Sequence, residues 1–203
     1  MKRSLAVVAL GLLVAFSSAG PGPELKPGAP APDFTLKNID GKMVSLQDFA
    51  SGKGAIVTFT CNHCPYAKAY EDRLIAIDKK YKVLGYPVVA INPNDVAQEP
   101  TDSYENMQKR AQEKGFTFPY LIDETQAIAA AYGATRTPHL FVVRFEGGKG
   151  VIRYVGAIDD NSKDAAAVSK TYLADALDAL IAEKTPGLEY TKAVGCTIKW
   201  REQ

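Results

Sequence analysis

Thr58-Phe59-Thr60-Cys61-Asn62-His63-Cys64-Pro65 marks a change of periodicity in the chain. The residues leading into it, Ala55 to Thr60, form an apolar run rich in β-branched and aromatic side chains, as a buried strand requires. The residues after it place Tyr70, Leu74, Ile77 and Tyr81 on one stripe at helical spacing. A strand therefore delivers Cys61 and Cys64, at i and i+3, into the first turn of a helix. Cysteines so spaced have Cα atoms about 5–6 Å apart and can close a disulfide. The unpaired amides and positive dipole end of the helix stabilise a thiolate there. Such a setting brings a cysteine pKa from about 8.5 into a range of roughly 3.5–7.5. Redox chemistry, or soft-metal chemistry, follows from these residues.

The N-terminus reads as an export signal occupying 1–19. Lys2 and Arg3 precede an apolar run from Leu5 to Phe16, and Ser17 and Ala19 are small residues at the cleavage positions. That run is shorter than the about 20 residues a bilayer span needs, so no membrane span is expected after cleavage. The expected location is exported, periplasmic or extracellular. With 24 basic and 23 acidic side chains in no pattern, the charge argues against a nucleic-acid or anionic-membrane partner. A chain 46% hydrophobic at this length can bury one good core. Three cysteines are too few for a disulfide scaffold and odd in number, so at least one has no intramolecular partner.

Residues 20–32 are a Pro- and Gly-rich lead-in, 33–185 the domain, and 186–203 a C-terminal tail expected to pack on it. Phe34 to Leu46 predicts a β-hairpin around Asp40-Gly41. Tyr86 to Ile91 is a second buried strand, and Asp102 to Lys114 a helix capped by Thr101 or Asp102. Pro119 to Ile122 is a short strand, and Glu124 to Tyr132 a helix ended by Gly133. Leu140 to Phe145 and Val151 to Val155 alternate across Gly147-Gly148 as an antiparallel pair. Asp164 to Glu183 is a closing helix with Val168, Tyr172, Leu173 and Leu177 on its buried side. The fold class is α/β, a mixed sheet flanked by helices on both faces, with an N-terminal β-hairpin extension.

These motifs resemble a thioredoxin-fold redoxin, in the peroxiredoxin-like branch of the alkyl hydroperoxide reductase and thiol-specific antioxidant superfamily. The resemblance runs from about Leu25 to Trp200. It rests on Pro32-Asp33-Phe34, the Cys61–Cys64 motif, Phe118-Pro119-Tyr120, Tyr132-Gly133-Ala134, Thr137-Pro138, Gly156 to Asp160 and Gly195 to Trp200. It implies a thioredoxin-like fold in which Pro138 is cis, faces the two cysteines and offers the backbone of Thr137 to a substrate as a strand edge. It also implies an exported thiol–disulfide oxidoreductase in which Cys61, the more exposed sulfur, attacks and Cys64 resolves the mixed disulfide. His63 adds positive charge beside Cys61, and Thr58 and Thr137 support the site. No organic cofactor is expected. The partners implied are protein or small-molecule disulfide or thiol substrates and an upstream redox partner.

Alternatives remain at this level. An antioxidant thiol peroxidase with Cys61 peroxidatic keeps Thr58 three residues before the cysteine. It has Gly54 where such enzymes carry proline, and Arg136 stands two residues early for the arginine that reaches the sulfur. Reductases of this fold often hold a buried acid behind the cysteines, and the strand Ala55, Ile56, Val57, Thr58 supplies none. A non-enzymatic Cu(I)- or Zn(II)-binding role would use Cys61, Cys64, His63 and His139, the chain having only two histidines. Cys196 reads as a buried, inert cysteine in a tail anchored by Trp200, or else as a relay thiol exchanging with Cys61 or Cys64.

Overall fold

The computed structural model describes residues 20–202, so the expected export signal at 1–19 lies outside the described residues. The chain opens with the expected hairpin, β1 (Thr35–Asn38) and β2 (Met43–Ser45), followed by the fully buried β3 (Gly54–Phe59). Next come helix α1 (Pro65–Tyr81), β4 (Val88–Asn92), α2 (Tyr104–Lys114), β5 (Tyr120–Ile122) and α3 (Ala127–Tyr132). The two-residue β6 (Arg136–Thr137) precedes β7 (His139–Glu146), β8 (Lys149–Gly156), α4 (Tyr172–Ile181) and β9 (Cys196–Thr197).

Seven strands form one mixed sheet in the order β2-β1-β5-β4-β3-β7-β8. The central β3 runs parallel to β4 and antiparallel to β7, with Phe59 opposite both Ile91 and His139. Alternation along β3 divides the core. Ile56 faces one layer with Tyr70, Leu74 and Tyr81 of α1, Met107 of α2 and Leu173 and Leu177 of α4. Ala55, Val57 and Phe59 face the other, with Phe34, Tyr132 of α3 and Phe141. Both faces of the sheet are covered, as its wholly buried and largely apolar strands β3 and β4 demand. This is the mixed α/β, thioredoxin-like architecture expected from the chain.

Three helix starts differ from expectation, each for a local reason. The final helix begins at Tyr172 rather than Asp164, because Asp160 accepts the Ser169 amide and Asp164 the Ala166 amide. Those side-chain bonds hold the segment in turns, leave only a 3-10 turn at Ala165–Ala167, and keep Val168 off the helix. The cap of α2 is Ser103, whose Oγ accepts from Asn106, since the Asp102 side chain is turned inward. Helix α3 starts at Ala127, after Gln126 in left-handed conformation, with Asp123 accepting the Ile128 and Ala129 amides.

The lead-in lies along β8 and α3 instead of hanging free. Gly28 N–H donates to the Ile152 carbonyl at 2.8 Å, Ala31 N–H to Gly150 at 2.9 Å and Leu25 N–H to Tyr132 at 3.1 Å. In the tail, Ile198 is buried among the β3-side apolar residues, and Trp200 packs on the same cluster. A second sheet, which the alternation of residues did not signal, pairs β6 with β9. Among the described residues no helix is long and apolar enough to cross a membrane.

Candidate active site

At the end of β3 the chain turns through Thr60 to Cys61, and Cys64 becomes the N-cap of α1 with Pro65 at its first position. Both sulfurs are enclosed, Cys61 at 3% and Cys64 at 0% exposure. The Thr137-Pro138 bond is cis, as the resemblance implies, and Thr137 touches both thiols. Its Oγ1 lies 3.1 Å from Cys61 Sγ, and its carbonyl oxygen accepts from Cys64 Sγ at 3.1 Å. All three cysteines are free thiols in this state.

The helix start favours Cys64, not Cys61. Cys64 is held below the ordinary thiol range by the adjoining Cys61 thiol, and further by Cys196 and the Ala67 amide of the first helical turn. Cys61 is pushed up by the adjoining Cys64 sulfur, by burial, and by the Asp102 carboxylate. The expected lowering therefore falls on Cys64 and not on Cys61.

Asp102 is the site residue that sequence reasoning missed. Its carboxylate is wholly buried and accepts from the Asn62 amide at 2.6 Å and Asn94 Nδ2 at 2.7 Å. It also pairs with His63 Nδ1 at 2.7 Å. Tyr120 extends the network by donating to Asn62 Oδ1 at 3.0 Å. The acid behind the cysteines thus exists, but it comes from the turn before α2 and not from β3. The only sequence signal was an aspartate beside a helix cap, where a capping role is the ordinary reading.

Other expected residues sit elsewhere. His139 faces away from the thiols: it stacks on Phe141 at 4.6 Å between ring centroids, and its Nε2 lies 3.3 Å from Glu24 Oε1. Burial lowers its pKa to about 4. The Thr58 hydroxyl is buried without a hydrogen-bond partner, so it gives nothing to Cys61. Arg136 Nη1 donates to the Gly195 carbonyl at 3.2 Å and not to a sulfur. The Thr137 edge is not vacant, for β9 pairs along it with Cys196 opposite Thr137.

A metal would find a different donor set from the one expected. Among the described residues, Cys61, His63 and Asp102 bring their ligand atoms within 4.8 Å of one another, and His139 is not among them. Both Asp102 oxygens are already engaged by Asn62, Asn94 and His63. A hard carboxylate beside one thiolate also suits Cu(I) poorly. The arrangement fits proton and sulfur chemistry better than ligation.

The profile of the AhpC/TSA family matches residues 27–155. Thiol-disulfide oxidoreductase ResA of Geobacillus thermodenitrificans is 30% identical over 119 residues, 57% of this chain and 62% of that protein. The chain thus spans a little under two thirds of that relative. ResA of Bacillus subtilis is 28% identical over 142 residues, 70% of this chain and 74% of that protein. Among solved structures, an uncharacterized conserved protein of Geobacillus kaustophilus superposes with a TM-score of 0.82 at 37% identity, covering 91% of this chain and 97% of that one. The peroxidoxin BcpB of Mycobacterium tuberculosis, at 19% identity and a TM-score of 0.59, covers 79% of this chain and 98% of that one and shares the fold. With the profile spanning more than half of its length, the chain belongs to the AhpC/TSA family.

Proposed function

We propose that this protein is an exported thiol–disulfide oxidoreductase whose working pair is Cys61 and Cys64. The observation that carries the reading is Thr137 bridging two free, adjacent sulfurs, its hydroxyl on Cys61 and its carbonyl on Cys64. The named relatives that are thiol-disulfide oxidoreductases support it. Access supports Cys61 as the attacking thiol and Cys64 as the resolving one, since Cys64 is completely enclosed while Cys61 retains a sliver of surface.

In the reducing direction the Cys61 proton passes to the adjacent His63–Asp102 pair, and the Cys61 sulfur attacks one sulfur of a substrate disulfide. The substrate S–S bond breaks and its other half leaves as a thiolate. Cys64 then attacks Cys61 Sγ, the second substrate thiolate leaves, and two electrons have passed from the dithiol to the substrate. Thr137 Oγ1 can donate to the sulfur carrying charge during both exchanges. An upstream dithiol partner restores the reduced pair. Substrates are protein or small-molecule disulfides.

Cys61→Ser should abolish disulfide reduction, and Cys64→Ser should accumulate mixed disulfides through Cys61, read by mass spectrometry of trapped complexes. Mixed disulfides through Cys64 in the Cys61→Ser variant, with activity retained, would reverse the assignment.

A further inference from the structure

The C-terminal strand places a third sulfur in the site. Cys196 lies opposite Thr137 in the β6–β9 pair and packs against the Cys61–Cys64–Ala67 cluster. Thr137 is the residue whose carbonyl touches Cys64 Sγ at 3.1 Å, so pairing with Thr137 brings Cys196 to Cys64. Cys61, Cys64 and Cys196 thus form one group of thiols gathered around Thr137.

This approach is built, not incidental. A Cβ on Gly195 would fall 2.2 Å from the Thr137 carbonyl oxygen and 2.9 Å from Pro138 N, so only glycine lets the tail come this close. Beyond the strand, Lys199 N–H donates to Asn94 Oδ1 at 2.9 Å, and the Lys199 carbonyl accepts from Asp95 N–H at 2.9 Å. Asn94 also bonds Asp102, so the tail is tied to the network that serves His63. Ile198 N–H donates to the Thr135 carbonyl at 3.2 Å. Cys196 is thereby held beside Cys64 at a high effective concentration.

We propose that Cys196 is a third redox thiol of this site, exchanging with Cys64 so that the disulfide moves between Cys61–Cys64 and Cys64–Cys196. The proposal deepens the oxidoreductase reading and rests on it. In the oxidised protein Cys196 Sγ, deprotonated, attacks Cys64 Sγ. The Cys64–Cys196 bond forms, the Cys61–Cys64 bond breaks, and Cys61 leaves as a thiolate that takes up the proton. No electron is gained or lost, so no further oxidant is needed. Burial and the neighbouring Cys64 sulfur push the Cys196 thiol up to about 11, with Lys199 and Arg136 opposing in smaller measure. Once Cys64 is in a disulfide its charge is gone, so the exchange is eased in the oxidised state where it is needed. The product staples β9 over the Thr137 edge and leaves Cys61 as a free thiol.

Peptide mapping after oxidation with oxidised glutathione and alkylation in acid tests this. Wild type should yield both Cys61–Cys64 and Cys64–Cys196 peptides, and Cys61→Ser should yield Cys64–Cys196. Gly195→Ala, which touches no sulfur, should keep Cys61–Cys64 and lose Cys64–Cys196. Cys196 fully alkylated in oxidised wild type, together with only glutathione adducts in Cys61→Ser, overturns the proposal. Disulfide reduction by wild type is measured in parallel: its absence would count against the oxidoreductase reading, while the mapping decides on Cys196.

Discussion

A Cys61 sulfur enclosed beside the Asp102 carboxylate ionises less readily than a cysteine in water, so its reactivity should climb with pH instead of levelling off near neutrality. Alkylation of Cys61 by iodoacetamide, followed at the peptide level, should still be rising above the ordinary thiol value of 9.0. Asp102→Asn removes the negative charge while keeping an oxygen for the Asn62 amide, and should move that profile to lower pH. A plateau below neutrality in the wild type, or an unmoved profile in the variant, refutes the role given to Asp102. The same physics explains why the local reading of the Cys-x-x-Cys motif failed for Cys61. A helix dipole acts within about one turn, and Cys64 is the residue that stands at the helix end.

At the scale of elements, α1 and α2 are clamped by Glu71 and Arg110, whose Nε and Nη2 reach the two carboxylate oxygens at 2.7 and 2.6 Å. Arg110→Ala leaves a carboxylate with 5% exposure without its fork, with only Lys114 at 3.7 Å in partial compensation. A loss of about 2 kcal/mol is expected, below the range for fully buried pairs because the arginine is partly exposed. Urea denaturation measures it. On β7, His139 has its pKa lowered to about 4 from 6.5, by burial first, with Glu24 opposing and Lys26 assisting. The unfolded chain binds this proton more readily, so the contribution of a neutral His139 is full above pH 6.5 and is lost as pH falls from there towards 4. The span corresponds to roughly 3 kcal/mol at most. His139→Phe should flatten that part of the stability-against-pH curve, and His139→Ala should leave Zn(II) and Cu(I) affinity unchanged in chelator competition. A curve as steep in His139→Phe as in wild type would show that other groups carry the acid sensitivity.

Over the whole molecule, the tail and the sheet together decide what reaches the sulfurs. Arg136 is spent on the Gly195 carbonyl and Thr58 makes no bond, so neither of these two residues is aimed at a peroxide on Cys61. Oxidation of the reduced protein by hydrogen peroxide should therefore be slow. A stopped-flow rate constant near or above about 10⁵ M⁻¹s⁻¹ would put the peroxidase reading first.

Local pattern was enough for much of this protein. The apolar run of β3, the stripe of α1, the Gly147-Gly148 turn and the cysteine pair at their junction are all short-range features, and each is readable because its physics acts within a few residues. The family resemblance added the cis Thr137-Pro138 bond. Tertiary structure alone decided the rest. Asp102 meets His63 across 39 residues, and Cys196 meets Thr137 through a two-residue strand too short to carry any periodicity. His139 stands next to Pro138 in sequence, yet its side chain turns towards Glu24 and Phe141 because successive residues of a strand point to opposite faces. The charge on each sulfur depends on which buried groups surround it, and burial is a property of the assembled core.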